Sequence, residues 1–419
     1  VKRPLLFLTL AVSSFTSAQE APLTIERAVE LALTRNERAA IADTTVEAAE
    51  ARVRRARTAF FPRVDIGGNL GTDIGNGSER DLSASALVTQ PLFDARVFPL
   101  YRQQRFERDA ARLSADDSKR VLGFDAAVSF LTTLSFEQVL RAAERRRDFA
   151  QTNLDDVSAR FEAGLVSSND VTRADLELAT AVRELAQAKG DVDASRVELE
   201  TLLKTDISGP LAPPVALLDA ADNPPPARGT AIADAQARRS DIAARRARVE
   251  ALRAFADEPN ARFFPSVLFT AQTRNVNDGR ITNRNNEGFM GVSFAWPVFD
   301  AGLRGADRAE RTANVRGAEL QLEFELRDVE RQMRGAAVQL TTEQASLREA
   351  IAAVRAARKN TDETSILYRE GLASALELAD ATQQLFEAEV AEVTARYRMA
   401  VAFLSLREAS GGTAAGAAQ

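Results

Sequence analysis

From Val171 to Leu203 apolar and small residues step by three and four without a break: Val171, Ala174, Leu178, Ala181, Leu185, Ala188, Val192, Ser195, Leu199 and Leu202. That period predicts one continuous helix with a narrow packing face. Large and small residues mostly alternate along it, so neighbouring helices can approach closely. Two other stretches, about Asp94 to Phe161 and about Asp300 to Tyr368, contain almost no strong breaker, with Pro99 placed in the entry turn of the first. At about 70 residues each they would extend roughly 100 Å, at 1.5 Å per residue. A helix of that length cannot fold back into one compact core, so other helices must cover it. Val121, Phe124, Val128 and Leu131 supply a seam on the first; Leu322, Leu326, Val329, Met333, Ala336 and Leu340 supply one on the second. Each long helix is expected to lead through a glycine turn into a return helix, and two shorter helices precede the strands. One runs from an N-cap at Thr24 to near Phe60, with Val46, Ala49, Val53 and Ala56 on one face; the other runs from near Thr230 to near Phe263.

Between these helices the period changes from three-and-four to two. Val64, Ile66 and Leu70 alternate with Asp65 and Asn69, and Gly67-Gly68 lies between; Leu82, Ala84, Ala86 and Val88 alternate with Ser83, Ser85 and Thr89, Leu87 being the exception. Val267, Phe269 and Ala271 share a face, although Leu268 interrupts the other. Met290, Val292, Phe294, Trp296 and Val298 form the cleanest stripe, opposed by Gly291, Ser293 and Ala295. Four strands follow, each of about ten residues, the length of a tilted strand crossing a bilayer. Polar loops, Gly75-Asn76-Gly77-Ser78 and Asn277-Asp278-Gly279 through Asn286, close two hairpins. Aromatics gather at the opposite, helix-bearing ends: Phe60, Phe61, Phe93, Phe263, Phe264, Trp296 and Phe299. They read either as a girdle at a membrane interface or as the corners of a two-sided sheet in water. Four strands cannot close a barrel, for which roughly eight is the usual minimum. If these strands cross a membrane, several subunits must pool them, because a lipid-facing edge would leave amides unpaired.

The whole series occurs twice. Phe60-Phe61-Pro62 returns as Phe263-Phe264-Pro265, Pro91-Leu92-Phe93-Asp94 as Pro297-Val298-Phe299-Asp300, and Phe161 through Ser167 as Tyr368 through Ser374. The offsets are 203, 206 and 207 residues, so landmarks keep their order and almost their spacing. Residues 22–210 and 230–410 are expected to be two structural repeats. Residues 206–229, rich in proline and alanine, would join them, and residues 411–419 would form a disordered tail.

Composition narrows the function. Lys2 and Arg3 precede an apolar run from Leu5 to Val12 and a small-residue site at Thr16-Ser17-Ala18, which reads residues 1–18 as a secretory signal peptide. With it removed, 52 basic side chains face 60 acidic ones, a charge of −8, well mixed along the chain. No basic face with interleaved aromatics suggests nucleic acid. After the signal, no apolar run of about 20 residues could form a spanning helix. Histidine and cysteine are both absent. That removes most catalytic triads, zinc sites and disulfide frameworks, leaves no thiol to accept a lipid, and argues against an enzyme. No cofactor or metal is implied.

The order helix, Phe-Phe-Pro, strand hairpin, Pro-Leu-Phe-Asp, long helix and Gly-Leu turn, executed twice, resembles the TolC-type outer-membrane efflux proteins over nearly all of residues 22 to 410. The resemblance implies a mainly helical subunit with four strands, assembled as a homotrimer whose shared twelve-strand β-barrel continues into a helical tunnel across the periplasm. Residues 206–229 would sit in a belt at its middle. It implies an exit duct for a tripartite efflux or type I secretion system, in contact with outer-membrane lipid. A periplasmic adaptor and an inner-membrane pump would be its partners. Gly164, Leu165, Val166 and Ser167, with Gly371, Leu372, Ala373 and Ser374, match the tips at which the adaptor docks; each glycine is also a plain left-handed turn residue. Glu377 and Asp380, six and nine positions after Gly371, match an acidic constriction that favours cations. Read without that match, they are acidic residues on a solvated helix face near its N-terminus. Tyr368 and Asp170 match positions that link neighbouring hairpins in the closed state, while Ala373 stands where studied members carry an arginine. The competing reading is a periplasmic coiled-coil adaptor or tether without a pore, which would need no strands of lipid-crossing length.

Overall fold

The computed structural model describes residues 22–73, 79–225, 228–276 and 286–414. The expected signal peptide lies outside the described residues. Thr24 caps α1 (Ile25–Arg35), its hydroxyl accepting the Arg27 N–H at 3.3 Å. The backbone then leaves helical geometry at Asn36 and restarts as α2 (Glu37–Arg57), with Asn36 Oδ1 accepting the Arg38 N–H at 2.9 Å. The single helix expected from Thr24 to Phe60 is therefore two. Asparagine caps a helix better than it continues one, and the side chain makes the break a fixed corner.

A 3-10 turn (Thr58–Phe60) leads into β1 (Arg63–Asp73) and β2 (Glu79–Phe93). Then come α3 (Val97–Glu162), α4 (Ser168–Leu203), α5 (Val215–Ala221), α6 (Arg228–Arg238), α7 (Ser240–Ala256) and α8 (Glu258–Ala261). The second hairpin, β3 (Ser266–Val276) and β4 (Asn286–Ala295), precedes α9 (Leu303–Arg369) and α10 (Ala375–Ala409). Here too an expected single helix, Thr230 to Phe263, is broken, at Arg239 and again near Asp257. The long helices α3 and α9 have 66 and 67 residues, about 100 Å each. Pro99 falls inside the first turn of α3, a position where its missing N–H leaves no bond unmade. The aspartate of each Pro-x-Phe-Asp motif organises the entry to a long helix. Asp94 accepts the Arg96 N–H, and Asp300 accepts those of Gly302 and Arg304.

The four strands form one antiparallel sheet in the order β1-β2-β3-β4. Because the long helices leave the sheet directly, the sheet stands at one end of the molecule and the turns α3–α4 and α9–α10 at the other. No single core runs between them. Buried residues collect at the middle of the long helices: Leu122, Phe124, Phe130, Leu131 and Leu134 of α3 with α1, the end of α4 and Leu404 of α10, and Val329, Met333 and Leu340 of α9 with Leu406. The stretch between α4 and α6 wraps this middle. Leu23 and Leu211 form a parallel bridge, and the Gln344 amide of α9 donates to the carbonyls of Ala221 and Asn223. The chain end differs from the expected disordered tail as far as Ala414. Gly411, with φ of 78°, turns the chain back, and Ala414 is buried against the middle core; the remaining five positions lie outside the described residues.

Buried positions of α9 step by sevens from Met333 through Leu340, Leu347, Val354 and Thr361 to Tyr368. A strict seven-residue repeat keeps a seam facing its partner only if the helices supercoil. This seam is the hairpin contact with α10 towards the tip.

Candidate functional site

Two regions carry chemistry, one at each end. In the sheet, cross-strand partners share a face. Val64, Val88, Ala271 and Met290 make one row, and Ile66, Ala86, Thr273 and Gly288 the next. One face thus collects the predicted stripes of all four strands. The other carries Asp65, Asn69, Ser85, Thr89, Gln272 and Arg274, with an Arg63–Asp65 ion pair at 2.8 Å. Its apolar exceptions are Leu87, Leu268 and Phe289. The apolar face is uncovered: Ile66 is 85% exposed, Met290 73% and Phe294 63%. A water-soluble sheet buries that face, since each large apolar side chain left in water forgoes about 1.5–3 kcal/mol of burial. The outer strands β1 and β4 each have one unpaired edge.

At the helix-bearing rim, six of the seven predicted aromatics are exposed and Phe60 is half-buried. They are held rather than loose. Phe60 packs edge-on against Phe98 and Tyr101, Phe263 against Phe264 and Trp296, and the Trp296 indole N–H donates to the Phe263 carbonyl at 2.9 Å. Guanidinium groups of Arg57 and Arg304 lie over Phe61 and Phe263. Trp296 and Val298 lie beyond the end of β4, not within the strand as their alternation suggests. An indole with one wet end beside an apolar band is what a membrane–water boundary selects.

At the far end each hairpin turns on a glycine. Gly164 and Gly371 both have φ of 74°, and a Cβ at either would meet nothing within 4 Å, so backbone conformation rather than crowding requires glycine. Leu165 and Leu372 follow, 75% and 76% exposed. The next residues form two capping boxes. Ser167 Oγ accepts the Asp170 N–H while the Asp170 carboxylate accepts the Ser167 N–H, and Ser374 and Glu377 repeat the arrangement. The Ser167 hydroxyl and N–H hold the Asp170 carboxyl below its usual range, and the Ser374 N–H and hydroxyl do the same for Glu377. Both carboxylates are therefore local caps in this chain, and Glu377 is the repeat counterpart of Asp170 (170 + 207 = 377). Asp380 is exposed and accepts the Gln384 amide at 2.8 Å; its counterpart is Arg173.

The two tips touch. Tyr368, at the end of α9, is buried with Val157, Ala174 and Leu378, and Val166, Val171, Ala373 and Ala375 pack on the cluster. Its hydroxyl has no partner, burial pushes its pKa up, and the Arg160 guanidinium lies 5.6 Å from the ring centroid. A second link went unread in the sequence: the Thr382 hydroxyl of α10 donates to the buried Glu177 carboxylate of α4 at 2.8 Å. Apolar periodicity placed Leu178 on that face instead. The pattern of large residues could not reveal that a carboxylate there would meet a hydroxyl on another helix.

The sequence model described as "Outer membrane efflux protein" matches residues 28–204 and 231–412, most of the chain. The chain belongs to the outer membrane efflux protein family. The chain is 22% identical to outer membrane protein TolC of Escherichia coli over 97% of its length and 85% of that protein. Its fold is that of solved channels. CusC superimposes with a TM-score of 0.78 over 98% of both chains at 17% identity. The open-state MtrE outer membrane channel of Neisseria gonorrhoeae gives 0.77 over 93% of this chain and 89% of that one at 19% identity. As a member of this family the protein is an outer-membrane protein. No helix among the described residues is long and apolar enough to cross a membrane.

Proposed function

We propose that this chain is the outer-membrane exit duct of a tripartite efflux or type I secretion system, a passive, non-enzymatic conduit. Three copies would pool four strands each into a twelve-strand barrel (3 × 4), and their helical hairpins would continue it as a tunnel through the periplasm. Residues 22–210 and 230–410 act as two repeats within each wall segment. One observation carries the reading: an amphipathic four-strand sheet with an exposed apolar face and two open edges stands at one end of hairpins about 100 Å long. Unpaired strand edges are not tolerated in hydrocarbon, so subunits must share them.

The tips, with the exposed Leu165 and Leu372, are where a periplasmic adaptor would dock and connect the duct to an inner-membrane pump. Glu377 and Asp380, on one helix face, would give two stacked acidic rings in the trimer. The cap of Glu377 sharpens this proposal, because the Ser374 N–H and hydroxyl hold that carboxyl below its usual range. Tyr368 and Asp170 support the closed tip from neighbouring hairpins. With Ala373 beside them, closure rests on packing of the buried tip cluster more than on a charged link.

Outer-membrane extracts should yield detergent-dependent, heat-labile trimers that conduct in planar bilayers with cation preference. Glu377→Ala with Asp380→Ala should reduce that preference. Unchanged selectivity removes the acidic rings; a freely soluble monomer without conductance removes the duct.

A further inference from the structure

At the helix-bearing rim of the sheet the two repeats use different side chains for the same corner. Below β2, the Gln90 amide donates to the Phe60 carbonyl at 3.2 Å; below β4, the Trp296 indole donates to the Phe263 carbonyl at 2.9 Å. Trp296 thus fills a structural place that a polar amide fills as well. Under the same shift of 206 residues Arg304 stands where the first repeat has Phe98, and under the shift of 203 Arg262 stands where it has Ala59. The first repeat turns from strand to helix without either arginine, so the corner itself does not require them.

Holding the motif aspartate explains Arg304 only in part. Its Nε donates to Asp300 at 2.6 Å, and its Nη2 reaches the Val298 carbonyl only at 3.5 Å. Nη1 is buried without an acceptor among the described residues. An unpartnered, buried guanidinium nitrogen is costly and calls for an acceptor from outside the chain. The side chain carrying it lines a pocket of about 520 Å³, together with Arg96, Arg262, Phe264, Ser266 and Trp296. Arg262 is fully engaged by Glu258 and Asp307. Arg96 gives Nε and Nη2 to Asp94 at 2.9 and 2.7 Å, which leaves its Nη1 as a second donor. One edge of a guanidinium can hold a carboxylate while the remaining nitrogen donates to another anion, and phosphate oxygens suit such forked donors.

The surroundings say what kind of phosphate. Trp296 continues the two-residue spacing of Met290, Val292 and Phe294, all of them exposed on the apolar face of the sheet. A ligand with its anionic group in the pocket would lay an apolar tail along that stripe. Its polar head would sit at the level of the indole, the depth that tryptophan takes at a membrane–water boundary.

We propose that this pocket binds the phosphate of a phospholipid headgroup through Arg304 and Arg96, with the acyl chains lying along Trp296, Phe294 and Val292. The inference rests on the membrane-embedded reading of the sheet and adds a ligand class to its rim. Arg262, already neutralised, positions the wall of the site.

Native mass spectrometry of the detergent-solubilised protein, titrated with dioleoylphosphatidylglycerol, tests it. The unsubstituted protein should retain one lipid per chain. Arg96→Gln and Arg304→Lys, the second keeping a cation for Asp300, should each weaken retention about tenfold, the scale of one charge-assisted hydrogen bond. Arg63→Gln removes an exposed, paired arginine at the start of β1 and should change nothing. Dioleoylglycerol, with the same chains and no phosphate, should bind more weakly and ignore all three substitutions. Glycerol 3-phosphate, with the phosphate and no chains, should also bind more weakly. Equal retention of dioleoylglycerol and the phospholipid would overturn phosphate recognition. Glycerol 3-phosphate binding as tightly as the lipid would make the ligand a free phosphate and overturn the lipid assignment. Equal losses for Arg63→Gln and Arg96→Gln would overturn the site in favour of diffuse charge attraction. Each of these results, read on conducting trimers, leaves the duct standing; a soluble monomer that retains no lipid overturns both.

Discussion

The two halves of this molecule have nearly the same backbone and quite different side chains, and their differences mark what each half touches. The ion pair Glu50–Arg112 of the first half becomes Arg253–Glu319 in the second, with its charges exchanged. The corner residue Asn36 becomes Arg239, yet both do one job: Asn36 donates to the Leu202 carbonyl at the end of α4, and Arg239 to the Ala409 carbonyl at the end of α10. By contrast, Ala244 is buried on α7, which packs on both α3 and α9, while its counterpart Ile41 on α2 is 60% exposed. Interactions local to a repeat preserve geometry and let chemistry drift. Positions between repeats record which neighbour is present.

The sharpest way to break the comparison is at the middle of the long helices. Phe130 is fully buried in the first half, while its counterpart Ala337 is only partly covered. Phe130→Ala should cost about 3–5 kcal/mol. Ala337→Gly should cost about 1 kcal/mol, chiefly in helix propensity. Thermal unfolding of the two variants in detergent would show whether the halves share the load unequally; equal losses would refute it.

The tips should behave alike despite their different sequences. Gly164→Val and Gly371→Val each force a β-branched side chain into left-handed backbone, at about 1–2 kcal/mol apiece. Removing the caps by Ser167→Ala or Ser374→Ala should cost about 1 kcal/mol each, read as faster local hydrogen exchange in the first turns of α4 and α10. The caps also predict a pH response. Asp170 and Glu377 have pKa values below their ordinary ones in the folded chain. Their contribution is therefore present above the unfolded carboxylate range and lost as pH falls through the folded values, a window below about pH 4. Protease sensitivity of both tips should rise together in that window, and Asp170→Asn with Glu377→Gln should make it pH-independent there. The smallest effect belongs to the exchanged ion pair. Glu50→Arg alone should lower the melting temperature slightly, and adding Arg112→Glu should restore it, since exposed pairs contribute little.

Much of this architecture was legible in the residues, for a physical reason. Long helices and lipid-facing strands announce themselves because period and solvent act on every residue, so the seam from Val329 to Leu340 and the stripe from Met290 to Phe294 needed no tertiary knowledge. Breaks at Asn36 and Arg239 were not legible: the first is marked only by the Asn36 side-chain cap, and at the second Arg239 makes no side-chain cap at all. The partnership of Thr382 with Glu177 was hidden similarly, being a contact between helices about 200 residues apart in sequence. Trp296 and Val298 obey strand alternation yet lie outside β4.

The central claim is that the apolar face of the sheet meets lipid and the opposite face meets water. Single cysteines at Ile66, Val292, Ser85 and Thr270, introduced into the cysteine-free chain in reconstituted vesicles, test it directly. A membrane-impermeant maleimide should label Ser85→Cys and Thr270→Cys rapidly, while Ile66→Cys and Val292→Cys resist it and are quenched by lipid-borne probes when fluorescently tagged. Equal labelling of all four positions would contradict the account.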